Sequence, residues 1–386
     1  MKKTLIILLF FCIAILFGCS DVFQDTIPEE TEITELKNNG VEDECFACID
    51  PCPPGEICDL LPPPPPPPPG PLPNRFQYFQ KGWHNDKITT SYSTTGNGSW
   101  STEAAISGSP NVNAARTESG IVSTIFNGEN YVFYKGQTNQ RIYWAKTADG
   151  SSWTGNTHLG SNAKTNETPA VAVLNNRIHV YHFGETTSHI WVSRSDTNNG
   201  TTYSLNHPIE NLYGSLASYD IYIDGAETNQ LAAVTYNDTI YLFFVVYNTL
   251  EVGQVAYISS TDGVRFTDPV IISSFRTAQG ISATVHNNQI YYTYVGLGTN
   301  SIFVARTTDP GNSLSGASIR VDGNLARAYS NASIASDGER LVAIYESGGG
   351  NTHYAYSDDD GLTWHGDVPA SGQSDASIAL VYTGNQ

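Results

Sequence analysis

The chain has 386 residues, of which 40% are hydrophobic and only 15% are charged, and its formal net charge is −19. The charged fraction lies well below the roughly 25% of an average soluble protein, which excludes a long charged helical protein and, for most of the chain, charge-driven disorder. The acidic balance argues against nucleic acid as a partner, because phosphates select Lys and Arg.

The first 18 residues predict an export signal. Two lysines precede a 13-residue apolar run from Leu5 to Phe17, which is too short to span a bilayer as a helix of roughly 20 residues. The stretch Leu16 to Cys19 resembles a bacterial lipobox, which implies cleavage before Cys19 and lipidation of this residue. An ordinary secretory signal with a chance cysteine is the alternative. The resemblance predicts a protein on the bacterial outer membrane, held by lipid alone and exposed at the cell surface.

Residues 19–74 predict a disordered tether. Between residues 20 and 74 there are 12 acids against the single base Lys37, and no apolar period is present. The prolines 62–69 predict a polyproline II rod of about 25 Å, at about 3.1 Å per residue, which would hold the domain 75–386 away from the bilayer. Four cysteines in the tether predict either two disulfides or a metal site, and neither would take part in catalysis: Cys45, Cys48, Cys52 and Cys58.

A turn followed by an aromatic strand recurs five times after residue 75. Asn-Gly, Asn-Asn and Asp-Gly pairs tolerate positive φ and therefore favour tight hairpins. The five turns begin at Asn127, Asn175, Asn237, Asn287 and Asp337. The unit of the domain is therefore predicted to be an antiparallel hairpin.

A second hairpin turn follows most of these, with Asp and Gly before an aromatic residue. It occurs at Asp149, Asp262 and Asp359, and weaker relatives end at Trp100 and Tyr203. Asp and Ser/Thr oxygens bind turn amides, and Gly supplies the left-handed residue. The last copy fits Ser-x-Asp-x-Gly-x-Thr-Trp in full and resembles the Asp-box of sialidase-like (BNR-repeat) propellers.

Two hairpins make a four-stranded sheet, so the repeat predicts an all-β, six-bladed β-propeller over 75–386. Five blades follow one another from residue 119 to residue 369. The sixth requires the C-terminal strand 377–382 to join N-terminal strands from Phe76 to Ile106, which leaves no open sheet edge.

The segment Tyr329 to Glu346 is similar to the sialidase stretch that begins with a nucleophilic Tyr-Ser and ends in a Tyr-Glu pair. The resemblance implies Tyr329 as nucleophile and Glu167 as its activating partner, since a phenol avoids the repulsion between a carboxylate nucleophile and an anionic substrate. Sialidases also bind the substrate carboxylate with three arginines. The implied ligand-binding candidates are Arg116, Arg276, Arg327, His182 and Glu346.

Two departures oppose this interpretation. His182 stands where the family has an arginine, and no Phe-Arg-Ile-Pro motif exists in the chain. The alternative is that Tyr329 is a rim aromatic residue and Arg327 a solvated charge.

Other chemistries lack a sequence signal. The chain has no His-Glu-x-x-His, no Gly-rich phosphate loop and no Gly-x-Ser-x-Gly elbow, so no cofactor and no metal are predicted. The chain has 6 Trp and 22 Tyr, which can serve as stacking surfaces for sugars. Similar clefts between the blades could each bind a glycan weakly, and avidity would strengthen the total binding. We therefore predict a surface lipoprotein that recognises glycans, either without catalysis or with an unassigned glycan activity. An exo-sialidase and a protein-interaction scaffold are the alternatives.

We expect Cys19→Ala to abolish labelling by a radioactive fatty acid and to release the protein from the membrane fraction, because the thiol is the predicted acylation site. Metabolic labelling with fractionation measures both effects, and Cys12→Ala is the matched control. Equal membrane retention of the Cys19 variant would contradict the prediction.

Overall fold

The computed structural model describes residues 72–106, 115–160, 162–185, 187–209, 231–247, 253–277, 279–308, 315–321 and 324–384. The predicted signal sequence, Cys19 and the four tether cysteines lie outside these residues. The described part of the chain folds into β-strands joined by turns, and it contains no helix long and apolar enough to cross a membrane.

Six antiparallel four-stranded sheets form the blades, which we number in chain order. The strands of blades 1 to 3 are β1 (Phe76–Lys81), β2 (Ile88–Ser93), β3 (Ala104–Ala105), β4 (Thr117–Phe126), β5 (Glu129–Gly136), β6 (Ile142–Thr147), β7 (Thr154–His158), β8 (Ala170–Leu174), β9 (Arg177–Gly184), β10 (Thr187–Asp196) and β11 (Asn199–Pro208).

Blades 4 to 6 follow the same plan, with a short two-stranded sheet, β20 and β21, between blades 5 and 6. Their strands, and the C-terminal strand that returns to blade 1, are β12 (Ala232–Tyr236), β13 (Thr239–Tyr247), β14 (Gly253–Ser260), β15 (Val270–Arg276), β16 (Ser282–His286), β17 (Gln289–Val295), β18 (Ile302–Thr307), β19 (Ser315–Ser318), β20 (Arg320–Val321), β21 (Asn324–Leu325), β22 (Ala332–Ser336), β23 (Leu341–Glu346), β24 (Asn351–Ser357), β25 (His365–Gln373) and β26 (Ala379–Tyr382).

The C-terminal strand closes the ring, as the sequence predicts. β26 pairs antiparallel with β1, from Phe76 opposite Tyr382 to Phe79 opposite Ala379. The innermost strands then contact one another in the closed order β26, β4, β8, β12, β16, β22 and back to β26. The protein is therefore a six-bladed β-propeller in which blades 1 and 4, 2 and 5, and 3 and 6 face each other across the axis.

Backbone geometry confirms four of the five predicted turns as two-residue hairpin turns, whereas the turn at Asp337 spans residues 337–340 and has positive φ only at Gly338. Both central residues have positive φ at Asn127-Gly128, Asn175-Asn176, Asn237-Asp238 and Asn287-Asn288. Positive φ at both positions matches the right-handed twist of the flanking strands. These turns therefore fix the register between the innermost strand of a blade and its neighbour.

The aspartate turns between the third and fourth strands link neighbouring blades. At Asp262, Oδ1 accepts hydrogen bonds from the amides of Val264 and Arg265, both at 2.8 Å. The Gly263 carbonyl of this turn accepts a hydrogen bond from the Tyr181 hydroxyl of the preceding blade at 2.9 Å. The turn therefore stabilises its own backbone and the interface between two blades.

The aromatic residue that ends the turn between third and fourth strands packs against a ring of the preceding blade in blades 1 to 4. Interplanar angles are 83° to 89° in three of these pairs and 62° in the fourth, and centroids lie 5.6 to 6.1 Å apart. Tilted and perpendicular contacts suit the aromatic quadrupole. The pairs are Phe79–Trp153, Phe133–Tyr203, Tyr181–Phe266 and Tyr354–Trp100.

Antiparallel alternation divides the loops between two faces. The aspartate turns lie on the lower face, together with the turns between first and second strands. The connections between second and third strands, and those from one blade to the next, lie on the upper face. A cavity of about 550 Å³ in the central channel is lined by neutral residues, most of them from the innermost strands near the lower face.

Deleting residues 374–386 should lower the melting temperature by on the order of 10 °C. Ile378 and Leu380 are buried and contribute about 1.5–3 kcal/mol each, at about 2–4 °C per kcal/mol. Calorimetry measures the change, and deletion of residues 385–386 alone is the control. An unchanged melting curve for the longer deletion would show that β26 does not hold the ring closed.

Candidate functional site

The hairpin between β23 and β24 carries three consecutive glycines on the upper face of blade 6. Gly348, Gly349 and Gly350 have φ values of 100°, 64° and 80°, a region that residues with a Cβ atom rarely adopt. A Cβ atom added to Gly349 would meet no heavy atom within 4 Å. The turn therefore presents bare backbone to solvent at its middle residue.

Two aromatic rings flank this glycine turn. A Cβ atom on Gly348 would lie 2.8 Å from Cε2 of Tyr329, and one on Gly350 would overlap the ring of Trp83. Tyr329 is 56% exposed, and Trp83 is partly exposed. We call Trp83, Tyr329, Glu346 and residues 348–350 the rim site.

Backbone hydrogen bonds hold the two rings in place. The Tyr329 amide donates to the Glu346 carbonyl at 3.0 Å, the Trp83 amide to the Gln373 carbonyl at 3.2 Å, and the Ser374 amide to the Gly350 carbonyl at 2.7 Å. The rim site is thus built from both ends of the domain, because Trp83 belongs to blade 1 and the remaining residues to blade 6.

A buried carboxyl group lies under the turn. Glu346 is only 9% exposed, and its Oε1 accepts a hydrogen bond from the Gly350 amide at 3.1 Å. Burial raises the pKa of Glu346, and the negative charge of Asp375 raises it further, against the lowering effect of the hydrogen bonds from glycine amides. Asp375 itself pairs with Lys81 at 3.2 Å. The rim site therefore combines flat apolar surface with oxygen acceptors.

This arrangement suits a ligand that has one apolar face and several hydroxyl groups. Tyr and Trp offer large rigid surfaces at low cost in conformational entropy. The carboxyl oxygens accept hydrogen bonds from hydroxyl groups. Glycine allows the ligand to approach the backbone closely.

The structure places Tyr329 beside Glu346, because the Tyr329 amide donates to the Glu346 carbonyl at 3.0 Å. Glu167 precedes the innermost strand of blade 3, where its amide is bound to Thr165 Oγ1 at 3.0 Å, and its side chain is buried. Tyr329 precedes the innermost strand of blade 6. Blades 3 and 6 face each other across the channel axis, and the Tyr329 ring lies over the glycine turn of its own blade.

The three arginines occupy separate upper connections. Arg116 leads into blade 2 and donates to the Asn85 carbonyl at 2.9 Å, whereas Arg276 ends the outer strand of blade 4. Arg327 leads into blade 6, where it forms a β-bridge with Ser301. The connections bearing Arg116 and Arg276 lie on opposite sides of the ring. Of the three, Arg327 alone is close in sequence to the rim site.

His182 is buried between blades 2 and 3. Its Nε2 lies 2.8 Å from Asn206 Oδ1 and its Nδ1 lies 3.1 Å from the Phe183 carbonyl. Burial lowers the pKa of His182, against the raising effect of its hydrogen bonds, so the imidazole is neutral near pH 7. Among the sequence candidates it is the one that contacts an interblade cleft.

The central channel is narrow at its upper mouth. A cavity of about 80 Å³ there is lined by apolar side chains such as Ile121, Leu231 and Ile378 and by polar ones such as Thr168 and Asn331. In the described ranges, no three His, Cys, Asp or Glu side chains lie close enough together to hold a metal ion.

Sequence reasoning missed Trp83 and the role of the glycine turn. The Gly-Gly-Gly run before Asn351 was a visible signal, because three adjacent glycines mark a backbone that needs positive φ or close approach. Nothing in the sequence shows that Trp83 lies beside this run, since 267 residues separate it from Gly350.

No protein-family model matches the chain, and no curated protein matches its sequence. Solved structures share its fold. The six-bladed Aleuria aurantia lectin, described with fucose recognition, is 13% identical, with a TM-score of 0.50 over 78% of this chain and 93% of the lectin. An α-L-arabinofuranosidase from Clostridium thermocellum is 14% identical, with a TM-score of 0.48 over 67% of this chain and 95% of that enzyme. The sialidase Hz136, described as Hadza microbial, is 13% identical, with a TM-score of 0.46 over 78% of this chain and 69% of that protein.

Glu346→Gln should remove a pH-dependent part of the stability. A folded-state pKa above the unfolded value means that the folded protein binds the proton more tightly, so this contribution is present at low pH and is lost as the pH rises through the raised pKa. We expect the melting temperature of the wild type minus that of the variant to fall between pH 4 and pH 7. Thermal melts across this range measure it, and a constant difference would contradict the assignment.

Proposed function

We propose that this protein is a lectin of the bacterial cell surface, carried on a lipidated and extended tether, whose propeller binds glycans at the rim site without hydrolysing them. The observation that carries the proposal is the pair of aromatic rings on a bare glycine turn. A pyranose ring has an apolar C–H face that stacks on such surfaces and hydroxyl groups that bind the neighbouring oxygens.

One further observation supports a binding role over sialidase catalysis. The candidate arginines occupy separate upper connections, with Arg116 and Arg276 on opposite sides of the ring. A sialidase needs a cluster of guanidinium groups to bind the carboxylate. The structural neighbours include a lectin and glycosidases, so glycans are the first ligand class to test.

A glycan array probed with the purified protein should show binding that depends on Trp83. We expect Trp83→Ala and Tyr329→Ala each to weaken the affinity for the best glycan about tenfold or more, because buried aromatic anchors contribute more than about 1 kcal/mol. Tyr92→Ala, which removes a 41% exposed ring of β2, is the matched control.

The Tyr329→Phe variant distinguishes a lectin from a sialidase. The phenyl ring keeps the stacking surface, so a lectin should retain its affinity within about twofold. Loss of the nucleophilic oxygen would abolish turnover in a sialidase. We expect no hydrolysis of a fluorogenic sialoside by the wild type. Turnover that disappears in Tyr329→Phe would replace the proposal with the exo-sialidase, and absence of both binding and turnover would favour a protein-interaction scaffold.

A further inference from the structure

A second concave surface lies between blades 2 and 3, away from the rim site. It is a cleft of about 360 Å³ between the connection that follows β7 and the strands β10 and β11. The volume is within the range of small-molecule sites. All of its lining side chains are neutral, and the polar ones are Asn162, Ser193, Tyr203, Ser204 and Asn206.

Tyr203 contributes a hydroxyl group without a partner. Its Oη is buried and makes no hydrogen bond within the described part of the chain. The ring is held perpendicular to Phe133 of blade 2, at 85° and 6.1 Å. Burial raises the pKa of Tyr203, so the group is a neutral donor at physiological pH. A buried hydroxyl without a partner destabilises the protein, and a hydrogen bond to a ligand oxygen in the cleft would remove that cost.

Asn206 contributes a fixed amide group. Its Nδ2 donates to the Asn162 carbonyl at 2.7 Å, which leaves Oδ1 to accept from His182 Nε2 at 2.8 Å and from Ser193 Oγ at 3.3 Å. This orientation requires the imidazole proton on Nε2. An amide nitrogen carries two hydrogens, so one N–H of Asn206 stays available at the cleft. His182 is therefore a positioning residue for Asn206.

We propose that this cleft binds one uncharged saccharide unit, as a second site that rests on the proposed lectin function. The Tyr203 hydroxyl and the Asn206 N–H supply donors, and Ser204 Oγ, bound only to the Arg194 carbonyl at 3.4 Å, supplies acceptor capacity. Leu159 and Ala163 add an apolar side. This mixture fits a ring with several hydroxyl groups and one C–H face.

The absence of charge among the lining residues defines the ligand class. Among the described residues, no Lys or Arg lines the cleft, so a carboxylated sugar would lose hydration without gaining an ion pair. A neutral sugar pays no such cost. The cleft therefore selects uncharged units, and together with the rim site it makes one chain able to engage two units of a glycan surface.

The test uses the full chain with Trp83→Ala, so that binding at the rim site is removed. Titration calorimetry with the methyl glycosides of galactose, glucose, mannose and N-acetylglucosamine is compared with the methyl glycoside of sialic acid. Gly160→Trp fills the cleft, since a Cβ atom there meets nothing within 4 Å and its φ is ordinary. Gly98→Trp, where a Cβ atom meets only Thr95 Oγ1 at 3.7 Å, is the control.

We expect at least one neutral glycoside to bind in the Trp83→Ala background, Gly160→Trp to abolish this binding, and Gly98→Trp to leave it unchanged. Tyr203→Phe should weaken the affinity about tenfold without lowering the melting temperature, because the lost hydroxyl has no protein partner.

Three results would contradict the proposal that this cleft binds a neutral saccharide. They are no binding of any neutral glycoside, a preference for the sialoside, or an affinity that Tyr203→Phe leaves unchanged. If Gly160→Trp fails to fold, the affinity of Tyr203→Phe still tests the proposal. If Trp83→Ala alone abolishes all glycan binding, the cleft is not a binding site and the rim site is supported. If Trp83→Ala leaves all binding unchanged, the rim site is not a binding site.

Discussion

The contact between an aspartate turn and the preceding blade is the interaction on which the rest of this structure depends. The turn offers a carbonyl to a tyrosine hydroxyl, as Gly263 does to Tyr181 at 2.9 Å, and its aromatic residue packs edge-on against a ring of the same neighbour, as Phe266 does. Such ring pairs contribute about 0.5–1.5 kcal/mol beyond their buried area. Each contact sets the angle between two sheets, and the ring closes only because these angles bring β26 back to β1.

Closure of the ring also assembles the rim site. Trp83 follows β1 near the start of the domain, whereas Tyr329 and the glycine turn belong to the last blade. The two parts meet because β26 completes blade 1 and because the Ser374 amide binds the Gly350 carbonyl. The turns that join neighbouring blades lie on the lower face. The loops of the upper face do not have this structural role, so their residues can bind a ligand.

Both proposed sites are defined by buried polar groups rather than by charged side chains. Glu346 is a buried carboxyl group whose pKa burial raises, and Tyr203 holds a buried hydroxyl without a partner. On the upper face, Lys81 is paired with Asp86 and Asp375, both at 3.2 Å. Groups of this kind suit uncharged polyols, and two weak sites on one chain would gain from avidity.

The sequence by itself determined the architecture, because each blade repeats a local code. Turn pairs such as Asn287-Asn288, the Asp-x-Gly turns and alternating aromatic strands act over a few residues, so they predict the hairpins, the six blades and closure by residues 377–382. Tertiary structure alone decided which side chains share a site. It brought Trp83 to Gly350 and His182 to Asn206, because those contacts depend on the order of blades around the axis and on ring closure, which no local pattern encodes.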